Sequence, residues 1–294
     1  MTGWVVRAPA KLNFGLEVLR RRPDGYHELV TILQTVSLFD TLSLETAPHL
    51  SLACTDPTLD GPDNLVLRAL TALRARSGVS SGAAVALAKA IPTAAGLGGA
   101  SSDAAAALVA GRALWGLALR DDELVTIAAG LGSDVPFFVR GGTALATGRG
   151  EVLVPLPTPA GIWFVLVTPR VVIPRKTPIL YEALATRDWS DGGAVLTQAD
   201  RLRSGLPWDP SLLRNAFVRP LGILYPDLAS VAAALARAGA TTVALSGAGP
   251  THYAPFTDPD AARHAARAVI AALGNAATVA VCEAVAKPPG PTPS

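Results

Sequence analysis

Cysteine is nearly absent from this 294-residue chain: Cys54 and Cys282 are its only two, with no CxxC and no Cys/His cluster. That excludes a disulfide framework and a structural zinc site, and it points to a reduced, cytosolic protein. An excess of charge of one sign is absent too. Lys+Arg 25 against Asp+Glu 23 leaves a formal net charge of +2, so no broad nucleic-acid-binding surface is expected. No apolar run reaches the roughly 18–20 residues that span a bilayer; the nearest, residues 104–119, is broken by Arg112. Residues 1–7 lack the charged start and long apolar core of a secretion signal. The expectation is a cytoplasmic protein with neither membrane nor nucleic acid as partner. Lysine is scarce as well. Lys11, Lys89, Lys176 and Lys287 are the only four, and arginine supplies the other 21 basic residues. A compact ammonium and a planar guanidinium are not interchangeable, so each lysine invites a question.

What is present is apolar side chain: 50% of the residues are hydrophobic and 16% charged, the composition of a folded chain rather than a disordered one. The length suits two domains of moderate size. Val, Leu, Ile and Thr predict strands over 4–7, 14–19, 29–37 and 41–45, parted by turn clusters such as Arg22-Pro23-Asp24-Gly25 and Phe39-Asp40. Asp63-Asn64 caps a helix predicted over 65–76, followed by a strand over 83–90 and helices over 101–117 and from 121 to near 130. Strand character returns at 143–146, 151–154 and 162–168. The proline-rich stretch 155–159 predicts a boundary between domains over 1–157 and 158–284, with a loose Pro-rich tail over 285–294. The second half predicts helices at 177–186, 193–202, 211–214 and 228–238. After them come a strand at 242–246, a strand at 251–256, a helix at 259–273 and a strand at 278–283. Without a long parallel βαβ series, this order predicts a two-domain α+β fold or a mixed sandwich.

Four segments carry chemistry. The first is Pro92-Thr93-Ala94-Ala95-Gly96-Leu97-Gly98-Gly99-Ala100-Ser101-Ser102-Asp103. Its glycines let a backbone approach a ligand closely, and the helix start behind it offers free N–H groups and a positive dipole end, which suit phosphate. Ser101 and Ser102 could cap the helix, bond phosphate oxygens or reach a magnesium ion. There is no Walker A pattern, and Ser101 stands where a dinucleotide fingerprint needs its third glycine. The second is Ala8-Pro9-Ala10-Lys11-Leu12-Asn13, a rare lysine between two strand candidates, set against the plain alternative of a surface lysine. The third is Gly132-Ser133-Asp134-Val135-Pro136-Phe137-Phe138, where the Asp either accepts a proton from a hydroxyl or caps a turn. The fourth, Ser246-Gly247-Ala248-Gly249-Pro250-Thr251, reads alone as a hairpin.

In this order and spacing, the Lys11 segment, the P-x-x-x-G-L-G loop and the C-terminal glycine loop resemble the GHMP kinases. The resemblance runs from about residue 5 to about 283 and is weakest between 185 and 210. Arg22-Pro23-Asp24-Gly25-Tyr26-His27-Glu28-Leu29, Asp63-Asn64-Leu65-Val66 and the Asp134 segment are most similar to members acting on a cytidine diphosphate sugar alcohol, cytidine diphosphate methylerythritol. The resemblance implies a two-domain GHMP kinase fold, with an N-terminal mixed α/β nucleotide-binding domain and a C-terminal ferredoxin-like α+β domain. It also implies transfer of the ATP γ-phosphate to the substrate 2-hydroxyl with Mg²⁺, by a monomer or homodimer. Asp134 is then the catalytic base, with Lys11 as its cationic partner and Asn13 orienting the substrate. Pro92, Ala94, Ala95, Gly96, Leu97, Gly98, Gly99, Ala100, Ser101 and Ser102 hold the phosphates, with Lys89 near the nucleotide. Tyr26 and His27 take the base, while Thr177 and Tyr181 contact the ribose and the opposite base face. Gly247, Ala248 and Gly249 form the third motif.

Ala94, Ala95 and Ala100 replace loop glycines common among relatives, so a glycine-only backbone is not expected there. Ala248 replaces a frequent serine, and Asp103 falls where some relatives have asparagine. Mevalonate, homoserine or galactose as substrate is disfavoured by Tyr26-His27 and by Thr177 and Tyr181, which suit a nucleobase. A catalytically dead binding protein is disfavoured because both Lys11 and Asp134 are present.

Overall fold

The structure, a computed structural model, describes residues 3–294. Two long strands, β1 (Trp4–Arg21) and β2 (His27–Ala47), form one antiparallel hairpin where the sequence predicts four short strands. The expected breaks are bulges. The register shifts between Pro9 and Ala10, between Asn13 and Leu16, and between Val18 and Arg20. Pro9 has no N–H to give a ladder, and a bulge absorbs that defect without ending the strand. Lys11 and Asn13 therefore sit inside β1 and share one face of it.

After β3 (Ser51–Cys54) come α1 (Leu65–Ser77), β4 (Gly82–Ala88), α2 (Gly99–Leu114), α3 (Asp121–Ala129), α4 (Val135–Arg140), β5 (Thr143–Gly148) and β6 (Val152–Leu156). The sheet runs β3, β4, β2, β1; β5 pairs with a different stretch of β2, and β6 with β5. Asn64 caps α1 as expected, its Oδ1 accepting from the Val66 N–H at 2.9 Å. Alanine lets α2 lie close to its neighbours: Ala104, Ala105, Ala107 and Ala110 are buried, and a Cβ on Gly111 would stand 2.8 Å from Leu70. The helix stops at Leu114, short of the predicted 117, because Gly116 takes the left-handed conformation. The sequence reading omits β3 and α4. Residues 157–162 then lead from the first sheet to the second.

The second half adds β7 (Trp163–Pro169), α5 (Lys176–Glu182), α6 (Gly193–Arg203), α7 (Val218–Leu224), α8 (Ala229–Arg237), β8 (Ala244–Leu245), β9 (His252–Phe256), α9 (Pro259–Leu273), β10 (Ala277–Glu283) and β11 (Thr292–Pro293). An antiparallel sheet of order β10, β7, β9, β8 carries α8 and α9 on one face, where Ala262, Ala265, Ala266 and Val269 bury a helical stripe. Its other face packs on the first sheet: Leu12, Phe14 and Ile32 share a core with Phe164, Leu166 and Tyr253. The helix predicted at 211–214 is only a short 3₁₀ turn over Pro210–Leu212, and α7 forms where no helix is predicted.

The tail, expected to be loose, is ordered. Thr292 and Pro293 pair with Val5 and Trp4, and the Val285 N–H donates to the Thr35 carbonyl at 2.8 Å. An edge strand offers unpaired backbone groups, and a proline is tolerated on such an outermost strand. Among the described residues no single helix is long and apolar enough to cross a membrane.

Candidate active site

The loop between β4 and α2 is held by its carbonyls. The Ala94 oxygen accepts from Lys176 Nζ at 2.6 Å, and that of Ala95 from the Thr251 N–H at 3.3 Å. Gly96 accepts from Lys11 Nζ at 2.9 Å and Ser246 Oγ at 3.0 Å, and Leu97 from the Lys11 N–H at 2.9 Å. Four successive carbonyls are thus turned into the protein. Among the described residues no protein acceptor takes the N–H groups of residues 93–101. A run of free N–H donors leading into the N-terminus of a 16-residue helix has the geometry that suits an anion. The loop lines a cavity of about 630 Å³ together with Asp63, Asn64 and Lys89.

Two glycines are required by this shape. Gly96 (φ 83°) lies against the third motif, where a Cβ would stand 2.3 Å from the Ser246 oxygen, and Gly98 (φ 74°) faces the Phe138 ring. Ala94, expected to avoid glycine-only geometry, adopts φ 54°. The loop imposes a left-handed residue there in spite of the methyl group, at a cost of roughly 1–2 kcal/mol.

Lys11 is buried on β1, and its Nζ donates to Asn13 Oδ1 at 2.7 Å as well as to Gly96. Asn13 is fixed in turn by its Nδ2, which donates to Thr31 Oγ1 at 2.9 Å. Burial lowers the Lys11 pKa, and the charge of Asp134 partly opposes it. Asp134 precedes α4 but its side chain makes no capping bond to that helix. It lines a cavity of about 450 Å³ with Lys11, Asn13, Thr177, Gly247 and Ala248. The two expected partners share that cavity without a direct ion pair, since Lys11 is held by Asn13 and Gly96.

Lys89, expected near the nucleotide, lines the cavity of the β4–α2 loop and is anchored there by two carboxylates. Its ammonium is paired with Asp40 and with Asp103, the latter at 2.7 Å. Asp40 also accepts the Ala90 and Ile91 N–H groups at 2.6 and 2.8 Å. Burial works to lower the Lys89 pKa, but Asp103 and Asp40 outweigh it and raise it. Burial likewise pushes Asp103 up to about 7, with Lys89 opposing and Asp40 reinforcing. The knot ties β2 to the start of α2 and leaves Lys89 no free charge. Ser102 Oγ and Asp103 Oδ1, both buried at that helix start, have no protein partner. Two unclaimed oxygens beside a phosphate cradle suit a Mg²⁺ ion that arrives on phosphates, since Mg²⁺ keeps few protein ligands. Among the described residues there is no cluster of three or more His, Cys, Asp or Glu for a dedicated metal site.

The other end of the site is made of side chains. Tyr26, at the tip of the β1–β2 hairpin, is 57% exposed, and the Arg149 guanidinium covers its ring at 4.6 Å. His27 stacks on Tyr181 with centroids 4.9 Å apart, and Tyr181 meets Phe217 edge-on. Tyr181, expected to take one base face, is thus covered by His27, expected to read the base edge. Tyr26, His27, Arg149, Thr177 and Tyr181 border a cavity of about 910 Å³. Burial, with Arg21 adding to it, lowers the His27 pKa, so the ring is neutral at pH 7, with one nitrogen donating and one accepting.

The third glycine motif is no isolated hairpin. Gly247 (φ 54°) and Gly249 (φ 73°) follow β8, and Asn215 Nδ2 donates to the Leu245 and Gly247 carbonyls at 2.9 Å each. Asn215, Arg149 and Lys176 have no role in the reading of the sequence. For Lys176 the signal was there in the rarity of lysine.

Residues 64–142 match the GHMP kinases N terminal domain, and residues 180–275 match the GHMP kinases C terminal domain. A 4-diphosphocytidyl-2-C-methyl-D-erythritol kinase of Geobacter metallireducens is 39% identical over 92% of this chain and 95% of its own length. One of Gloeobacter violaceus is 38% identical, covering 92% of this chain and 90% of that one. A crystal structure of 4-(cytidine 5'-diphospho)-2C-methyl-D-erythritol kinase superposes with a TM-score of 0.78 at 35% identity, over 95% of this chain and 98% of that one. A homoserine kinase from Cytophaga hutchinsonii reaches a TM-score of 0.76 at 21% identity, over 99% and 97% of the two chains. The fold alone does not separate these two substrates.

Proposed function

The chain belongs to the GHMP kinases, and from that premise we propose how its residues divide the work of phosphoryl transfer. Its activity is the ATP-dependent phosphorylation of 4-diphosphocytidyl-2-C-methyl-D-erythritol, a step of non-mevalonate isoprenoid precursor synthesis. Phosphoryl transfer asks for positioning and charge neutralisation more than for covalent chemistry. The free N–H groups of residues 93–101 and the start of α2 receive the ATP phosphates. Asp134 takes the proton of the substrate 2-hydroxyl as the γ-phosphate arrives. Lys11, aimed by Asn13 and Gly96, stabilises the alkoxide that forms. His27 reads the pyrimidine edge and Tyr181 stacks on its ring once the two part, with Thr177 at the ribose. Ser102 and Asp103 would hold Mg²⁺, which supplies neutralisation of phosphate charge.

The reading divides the chain at about residue 157 into two domains whose shared cleft is the site. A cytoplasmic location fits the two free cysteines. The observation that carries the proposal is the set of four inward carbonyls beside the cavity shared by Lys11 and Asp134. The test is a coupled ADP-release assay with the cytidine diphosphate sugar alcohol, mevalonate and homoserine in parallel. Turnover is expected with the first only; comparable kcat/KM for either of the others overturns it.

A further inference from the structure

Lys176 is the one lysine-bearing link between the two glycine loops. It is 8% exposed, and its Nζ donates both to the Ala94 carbonyl at 2.6 Å and to the Gly249 carbonyl. Among the described residues only two that are not glycine have positive φ: Ala94 at 54° and Arg175 at 50°. Lys176 follows the second directly along the chain and its side chain bonds the first, so it adjoins both left-handed residues. L-residues leave that conformation unless their surroundings hold them there. Burying an ammonium is itself costly, and two neutral carbonyls offset it only in part. Burial, with the nearby Lys11 adding to it, accordingly pushes the Lys176 pKa down to about 8. Arginine, which this chain otherwise prefers, is a planar fork and does not place one donor point between two converging carbonyls.

We propose that Lys176 is a positioning residue of the phosphate loop. It clamps Ala94 in its left-handed conformation and ties that loop to the third glycine loop, so that the N–H groups of residues 93–101 stand ready for ATP. The proposal rests on the reading of that loop as the phosphate site.

The test is Lys176→Met, with KM determined separately for ATP and for the cytidine diphosphate sugar alcohol. The variant should raise KM for ATP about tenfold and change that for the sugar alcohol less than twofold. Adding Ala94→Gly should recover at least a third of the loss, because glycine holds φ near 54° without a clamp. An unchanged KM for ATP, an equal rise for both substrates, or no recovery in the double variant overturns the proposal. Should the Met variant not fold, Lys176→Gln, which keeps an uncharged N–H donor group, carries the same comparison with a smaller rise. Gly98→Ala reports on the loop itself. If it leaves KM for ATP unchanged, the phosphate-site reading fails. If it raises KM for ATP and Lys176→Met does not, only the clamp fails.

Discussion

The two ends of the site are built differently. At the phosphate end the backbone is fixed before any ligand arrives, with each carbonyl of residues 94–97 bonded by a partner from another element. At the base end the groups that would meet a ligand meet one another, His27 on Tyr181 and Arg149 on Tyr26. Binding at the first end costs little reorganisation, whereas the second must part its own stack. A phosphate cradle made of main chain tolerates few sequences, because strain and close approach set its residues. A base pocket made of side chains selects its ligand by which edges and faces it presents. On the proposed reading, rate comes from the rigid end and substrate choice from the adaptable one.

Substitutions can break this contrast, and the largest effect lies where the ends meet. Asp134→Asn should lower kcat by about 10²–10⁴-fold, the usual worth of a general base, while both substrates still bind by calorimetry. Near-full turnover in that variant would remove Asp134 from the mechanism. Gly96→Ala comes next. Its Cβ would stand 2.3 Å from the Ser246 oxygen at a φ of 83°, and strain of about 1–3 kcal/mol should appear as a raised KM for ATP and a lowered melting temperature. Unchanged values would show that the loop is not rigid.

His27→Ala should raise KM for the cytidine substrate by about tenfold, close to 1.4 kcal/mol, and that for ATP hardly at all. The same ring gives a pH test. Its folded pKa lies below 6.5, so lowering the pH through that value converts the acceptor nitrogen to a donor. KM for the cytidine substrate should be flat from pH 8 to 6.5 and rise below it, and the rise should be missing in His27→Ala. An equal rise in both enzymes would place the titrating group elsewhere.

How far the sequence foretells this contrast differs between the ends. Gly96, Gly98 and the start of α2 are legible because glycine is the residue favoured at such backbone and because helix starts have composition rules. The bulged strand around Lys11 is not, since a proline and a short polar run look like a strand end until the partner strand is known. Nor is the anchoring of Lys89 legible: its partner Asp40 lies 49 residues away, and only the fold brings the carboxylates to the lysine beside the loop. Ala94 runs against residue preference outright, and its conformation comes from long-range bonds. At the base end the residue types are legible and their mutual stacking is not, because which ring covers which depends on where α5 meets the hairpin tip.

The smallest expected effect sharpens the description of the base end. Arg149 lines both the cavity of Lys11 and Asp134 and the one beside His27, and it also faces Glu151 at 3.8 Å on the surface. Two roles are open to it, with opposite signs. If it merely occupies the face of Tyr26, Arg149→Ala frees that face for the base and KM for the cytidine substrate falls. If its charge draws the diphosphate of that substrate, KM rises. An exposed cation over an aromatic ring is worth only about 0.5–1 kcal/mol, too little to outweigh attraction to a ligand carrying two phosphates. A rise of about threefold at low ionic strength is therefore expected, shrinking as salt screens the charge. Arg149→Lys should keep most of the affinity. A fall in KM, or a rise indifferent to salt, would make Arg149 a lid on Tyr26 rather than a diphosphate ligand.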